Sequence, residues 1–318
     1  MSSSVMSLIV ITASLWCLVL VAFTGLQIVT STTDYKYFFD FIQGNESCSS
    51  SGTVTSPGFP LWHPTSGSHI YFYELEHLVP DGRIKVIFSD FFLDSVNKSV
   101  NMCNEEQNYL KIIDGKKSSR HCGFKRPAPH LSSTHSLRLV YHLSGHPRHH
   151  GYGVFSLNYS FITSDEAEEL EWRLRRGNYV QNTAYEVANI GHISTNILRR
   201  DMQWVDYLWY LRGQPGNRLL LNFLAIDINP SGTIEVRDGT TSQAPLLLLV
   251  HKNSTDYEDV ISTQENVYVR WYGQVSQYDS LRFIYSNVAP VDSSGNCPSA
   301  YLKCNNGVCI SKERQCDG

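Results

Sequence analysis

The chain lacks what several function classes require. Its 318 residues carry 26 basic and 30 acidic side chains, for a net charge of −4 and a pI near 6.3. A nucleic-acid binder held by a basic face needs a clustered positive excess, which is missing. Charged residues make up only 18%, below the roughly 25% of ordinary soluble domains. The sequence has no G-x-S-x-G elbow, no phosphate-cradling glycine loop and no H-E-x-x-H helix, so nothing assembles a catalytic site and no enzyme is expected. Cysteine is absent from every position between Cys122 and Cys297; packing alone must hold the middle of the chain. What is present is apolar surface at 42%, enough to exclude wholesale disorder, and 12% aromatics, including 18 Tyr and 14 Phe, which favour strands over helices. The length allows two domains of about 110–130 residues and a small remainder.

The amino terminus sets the compartment. Leu8 to Phe23 is uncharged, long for a signal h-region and short of the about 20 residues that span a bilayer comfortably. Residues 1–31 are therefore expected to be a removed signal peptide, with cleavage after Thr24 or Ser31; a retained hydrophobic helix as signal anchor is the alternative. Four sequons, at Asn45, Asn97, Asn158 and Asn253, fit glycosylation, whereas Asn229 is blocked by Pro230. Around Asn158 the apolar Phe155, Leu157, Tyr159 and Phe161 alternate with Ser156, Asn158 and Ser160. A strand there points the apolar set inward and a glycan outward. The secretory pathway is oxidising, so paired cysteines should be disulfides.

The middle of the chain repeats itself. Ile84, Val86, Phe88 and Leu93 match Leu219, Leu221, Phe223 and Ile228. The segment ending Asp114-Gly115 resembles that ending Asp238-Gly239, and Leu131 to Tyr141 matches Ile261 to Trp271 without a gap, with Ser132 opposite Ser262. Phe155, Leu157 and Tyr159 match Leu281, Phe283 and Tyr285. Drifting offsets are what loops of unequal length produce between equivalent strands. Period-two alternation within the blocks predicts a mainly β protein of two antiparallel β-sandwiches at 45–162 and 178–288. Between them, 163–177 reads as a helical linker, with acids in its first turns, Arg173, Arg175 and Arg176 at its end and Gly177 as its cap.

Cys48 through Gly52, Ser56-Pro57-Gly-Phe-Pro60, Pro80 to Phe88, Cys103, Tyr109-Leu-Lys-Ile and Cys122-Gly123 together resemble a CUB domain, which implies a jelly-roll-type sandwich. The second repeat resembles the same family more distantly, through Trp209-Tyr-Leu211, Leu219 to Ile228 and Val236-Arg-Asp238-Gly239. Beyond a linker at 289–296, Cys297, Cys304, Asn305-Asn-Gly307, Cys309, Ile310 and Cys316-Asp317-Gly318 resemble the first part of an LDL-receptor class A module, a partial disulfide-rich unit at 297–318. The resemblance implies bonds Cys103–Cys122 and Cys297–Cys309. It leaves Cys304 and Cys316 without partners in this chain, and Cys48 either a buried thiol, the preferred reading, or an intermolecular bridge. The calcium-binding positions of the family fall at Asp94, Asn108 and Ser144 in the first repeat and at Asn229, Thr233 and Gln274 in the second. One carboxylate in the first set and none in the second are too few for an ion that wants several charged oxygens. Asp317 matches the first calcium ligand of a class A module, whose other ligands would lie downstream. No cofactor is expected in this chain, and calcium only if that module is completed.

Two further motifs invite function. His142, His146, His149 and His150 crowd into one Gly/Pro-containing stretch. Without convergent carboxylates it reads as a solvated loop, ahead of a pH-sensitive contact and of a metal site. Arg173-Leu-Arg175-Arg176 fits an R-x-R-R convertase site, against the reading of a basic helix end, which resists entering a protease cleft. The module order resembles neuropilin- and tolloid-like membrane proteins and implies a non-catalytic ectodomain of a CUB/LDLa cell-surface protein: a receptor, co-receptor or auxiliary subunit, as part of a longer single-pass chain. Its expected partner is an extracellular or membrane protein, not nucleic acid or a small-molecule substrate. The alternatives are the regulatory stalk of a membrane-anchored serine protease and a secreted adhesion or matrix protein.

Overall fold

The structure is a computed structural model that describes residues 35–44, 51–61, 68–93, 103, 108–144, 153–175, 179–187, 190–196, 202–251, 258–304 and 308–312. Nine strands build the first sandwich: β1 (Tyr35–Gly44), β2 (Ser51–Thr55), β3 (Ser68–His77), β4 (Arg83–Leu93), β5 (Tyr109–Asp114), β6 (Lys117–His121), β7 (His130–Leu131), β8 (Ser136–Leu143) and β9 (Gly153–Ile162). After the helix α1 (Ser164–Arg175), nine more build the second: β10 (Tyr179–Val187), β11 (Ile190–Asn196), β12 (Gln203–Arg212), β13 (Arg218–Asp227), β14 (Gly232–Arg237), β15 (Leu246–Val250), β16 (Val260–Ile261), β17 (Asn266–Val275) and β18 (Ser280–Ala289). A hairpin of β19 (Tyr301–Lys303) and β20 (Cys309–Ser311) follows.

The duplication is complete at the level of topology. One five-stranded sheet runs β1-β3-β8-β5-β6 and its counterpart β10-β12-β17-β14-β15. The opposing layers are β2-β9-β4-β7 and, in the second copy, a sheet in which β18 pairs with both β11 and β13 and β13 with β16. Between the layers lie two aromatic-rich cores, one around Phe88, Phe91, Tyr141 and Phe155 and one around Trp209, Trp271, Phe283 and Tyr285.

The sandwiches are not antiparallel throughout. β1 pairs with β3, and β10 with β12, in parallel. The strand between each pair, β2 or β11, lies in the other layer and carries the return, so the chain re-enters the sheet in its original direction. β1 also begins ahead of residue 45.

Matched residues do matched work. Ser132 Oγ accepts the Ile84 N–H at 2.8 Å and donates to the Thr134 carbonyl at 2.6 Å. Ser262 Oγ accepts from Leu219 N at 2.7 Å and donates to the Gln264 carbonyl at 2.6 Å. Asp114 accepts the N–H of Ser133 at 2.9 Å, and Asp238 that of Thr263 at 3.1 Å. Each carboxylate ties the end of one strand to the loop before another. β4 and β13 break register at equivalent places, between Phe88 and Asp90 and between Phe223 and Ala225. Ser132→Ala and Ser262→Ala each strand a buried N–H and are expected to destabilise by about 1–3 kcal/mol. The two losses should add, since the sites share no partner. Urea midpoints of the single and double variants check this.

Helix α1 is entered through a capping box. Glu166 N donates to Thr163 Oγ1 at 3.2 Å, and Thr163 N donates back to the Glu166 carboxylate at 3.0 Å. At the other end of the chain, β20 pairs with β18 through Val288↔Ile310 and Ala289↔Cys309. The hairpin thus continues a sheet of the second sandwich, with Cys297 bonded to Cys309. The segment expected as a linker contains a closed turn: Asp292 Oδ1 accepts from Ser294 N and Asn296 N at 2.9 and 2.8 Å.

Candidate interaction surfaces and the contact between the sandwiches

Of the positions expected from the resemblance to hold calcium, those among the described residues carry neutral groups engaged locally. Asn108 is buried and its Oδ1 accepts the Ser144 N–H at 2.8 Å. Asn229 Oδ1 accepts from Ser231 N at 3.1 Å, Thr233 Oγ1 lies 3.3 Å from His251 Nδ1, and Gln274 is held in β17 opposite Trp204. The Asn229 oxygen closes a turn, and that of Asn108 ties the start of β5 to the end of β8. Asp94 and Asp317 lie outside the described residues. Among the described residues no cluster of three His, Cys, Asp or Glu side chains is arranged to hold a metal.

The most elaborate polar construction joins the two sandwiches. Tyr210 and Tyr268 point from the outer face of the second five-stranded sheet, yet they are buried with Leu208 because the first sandwich covers them. The β4 bulge explains how. Val86 and Phe88 face the first core, and so do Phe91 and Leu93; the extra residue lets Ser89 and Asp90 both turn outward. Asp90 accepts the Ser242 N–H at 2.7 Å and the Ser242 hydroxyl, and Tyr268 Oη donates to the Ser89 carbonyl at 3.4 Å. Phe92 packs against Tyr185 and Tyr210, at centroid distances of 5.7 and 6.1 Å.

Arg126 enters beside them. Its side chain is fully buried and donates to both carboxylate oxygens of Asp206, at 3.0 and 3.1 Å. It also reaches the Asp206 carbonyl at 2.9 Å, the Phe88 carbonyl at 3.2 Å and Thr183 Oγ1 at 3.1 Å. Arg270 grips the same carboxylate from the other side at 2.8 and 2.9 Å. One carboxylate thus serves two guanidinium forks, the charge-assisted geometry best able to offset desolvation. Burial alone would raise the Asp206 carboxyl, but the bonds and charges of Arg270 and Arg126 outweigh it and hold it below the ordinary range. Asp90 is pushed upward by burial, against the pull of Ser242 and both arginines.

A second surface lies on the far side of the first sandwich. In the outer row of its five-stranded sheet, Phe39, Phe72, Val140, Lys111 and Arg120 stand in register. Phe39 is 46% and Phe41 55% exposed; Phe39 stacks on Phe72 at 4.6 Å.

The remaining candidate residues are dispersed. Asn158 is exposed on β9 and accepts from Thr53 Oγ1 at 3.0 Å, while Ser156, expected outside with it, is buried beside Ser89. Asn45, Asn97 and Asn253 lie outside the described residues. So do Leu8 to Phe23, Cys17, Cys48, Cys316, His146, His149, His150 and Arg176. Arg173 and Arg175 belong to α1. His142 is buried and stacked on Tyr109 at 4.7 Å. Cys103 and Cys122 are bonded, and Cys304 carries a free thiol. Among the described residues no helix is long and apolar enough to cross a membrane.

No protein-family model matches the chain. It is 28% identical to human cubilin over 203 residues, 61% of this chain and 5% of cubilin. With rat cubilin it shares 27% identity over 190 residues, covering 57% of this chain and 4% of that protein. The chain therefore spans only a small fraction of the length of these relatives. The CUB1-EGF-CUB2 domains of rat MASP-1 overlay 78% of this chain and 100% of their own length, at 15% identity and a TM-score of 0.31. The likeness to cubilin agrees with the resemblance of the two repeats to CUB domains.

Proposed function

We propose that the chain is a non-catalytic recognition ectodomain of a CUB/LDLa cell-surface protein, acting as a receptor, co-receptor or auxiliary subunit that engages another extracellular or membrane protein. The observation that carries this reading is the buried Arg126–Asp206–Arg270 junction. It ties the two sandwiches together through a buried ion-pair network, and a scaffold held in this way presents binding surfaces at low entropic cost. A single carboxylate, Asp94, among the expected calcium positions favours recognition that does not depend on a metal-ordered acidic loop. The test is binding of the labelled, purified chain to intact cells. Saturable binding that unlabelled protein displaces, and that protease treatment of the cells abolishes, is the expected result. Binding that never saturates, or that survives complete stripping of surface proteins, would overturn the reading.

A further inference from the structure

We infer that the outer face of the first sandwich's five-stranded sheet is a self-association surface, built to pack against the same face of a second copy of this chain. The inference rests on the recognition reading and specifies one surface of that module. An antiparallel sheet that borders water alternates apolar-in with polar-out. This face departs from that rule: Phe39, Phe41, Phe72 and Val140 point away from the core, which is already filled by Tyr73, Leu75, Leu139 and Tyr141 on the other side. A contiguous exposed apolar patch rimmed by charge marks an interaction site.

The charges say which occupant fits. They are segregated across the sheet. Glu74 and Glu76 stand on β3, near the aromatic edge, and Lys111 and Arg120 on β5 and β6, at the opposite edge. β8 is the middle strand of the five. A two-fold axis along it lays each row against itself in reverse. Phe39 then meets Arg120, Phe72 meets Lys111, and Val140 meets its own symmetry mate. Aromatic rings facing guanidinium and ammonium groups are attractive contacts, and in the next row Phe41 meets Ser118 and Glu74 meets Ile113, so away from the axis no like charges are opposed there. Arg138, near the axis, enters already neutralised by Glu74 at 2.5 Å. A partner carrying charge of one sign would leave one edge of this face opposed to its like.

Sedimentation velocity on the full chain, produced by secretion-competent cells, tests this across concentrations from nanomolar to tens of micromolar. The expected result is a concentration-dependent shift from one chain to two. Phe39→Glu with Phe41→Glu should weaken it by on the order of tenfold or more, the range of central interface anchors. Lys111→Glu with Arg120→Glu should weaken it as well without touching the aromatic edge, and high salt should do the same. Melting temperatures of both variants are measured alongside; either variant that retains the parent transition suffices as the test. A chain that stays monomeric throughout, or a dimer that both variants leave intact, overturns the inference. If the monomeric chain still binds cells saturably, only the self-association fails and the recognition reading stands. If the phenylalanine variant loses cell binding in a chain that never dimerises, the face belongs to a different protein and the second copy is excluded.

Discussion

Asp206→Ala is expected to destabilise the molecule by roughly 3–5 kcal/mol, the range for removing one partner of a buried ion pair. The reason is the charge left behind. Arg126 has a fully buried side chain and Arg270 one only 15% exposed; without the carboxylate, two guanidinium groups sit unpaired between the sandwiches. The first sandwich then gains by moving away, so unfolding should also lose cooperativity, with the two sandwiches melting as separate transitions. Trp204, Trp209 and Trp271 all belong to the second sandwich, so tryptophan fluorescence weighted to that unit and far-UV circular dichroism, which sees both, should diverge in the variant. Coincident curves with an unchanged midpoint would show that the junction couples nothing. Replacing Arg126, Asp206 and Arg270 together by apolar residues of similar size should be far milder, since no orphan charge remains.

The same junction sets an acid limit with a definite sign. The folded-state Asp206 carboxyl is held below its unfolded value, so its contribution is complete above the ordinary carboxylate range. It disappears only as pH falls through the lowered folded-state value. Asp90 works in the opposite sense. Its raised folded-state value makes it a net cost at neutral pH that acidification relieves. Mild acid should therefore leave the two sandwiches joined, and separation should begin only below the usual carboxylate range.

The β-sandwiches were legible because strand periodicity is local. The alternation at Phe155 to Phe161 and the Ser132/Ser262 match can be read from adjacent residues, and both describe contacts within one sandwich. The junction was not legible for the opposite reason: Arg126 is 80 positions from Asp206, and Asp206 is 64 from Arg270, and neither spacing has a periodic signature. One signal was available. Trp209-Tyr-Leu211 is apolar without alternation, which means a strand covered on both faces, and Tyr210 is the residue the first sandwich covers. Ser156 marks the same limit, since its polarity suggests water where Ser89 of the neighbouring strand covers it. β1 lies ahead of Cys48, the first residue that carries the family resemblance, and the docked hairpin has no signature because cysteine spacing reports local bonds and says nothing of the sheet to which the loop attaches.

Trp271→Ala should be the most damaging single change within a sandwich, at about 3–5 kcal/mol for truncating a buried aromatic. Trp271 has no exposed surface, stands opposite Tyr207 and Ile234 on neighbouring strands, and packs edge-on against Tyr207 at 5.9 Å. The unit it supports contains no cysteine, and typical domains have only about 5–15 kcal/mol in total. The expected outcome is a second sandwich that is partly unfolded at physiological temperature while the first, tied by Cys103–Cys122, persists. Calorimetry would show one remaining transition with a smaller enthalpy than that of the parent. The matched residue sharpens the test. Tyr141 donates its hydroxyl to the Gly153 carbonyl at 2.8 Å, whereas Trp271 Nε1 finds no acceptor among the described residues. Trp271→Phe therefore removes an unsatisfied donor along with some volume and should cost below about 1.5 kcal/mol, while Tyr141→Phe strands a buried carbonyl for about 1–3 kcal/mol. If the ranking came out reversed, the tryptophan would have a polar role in the second core that its surroundings do not supply.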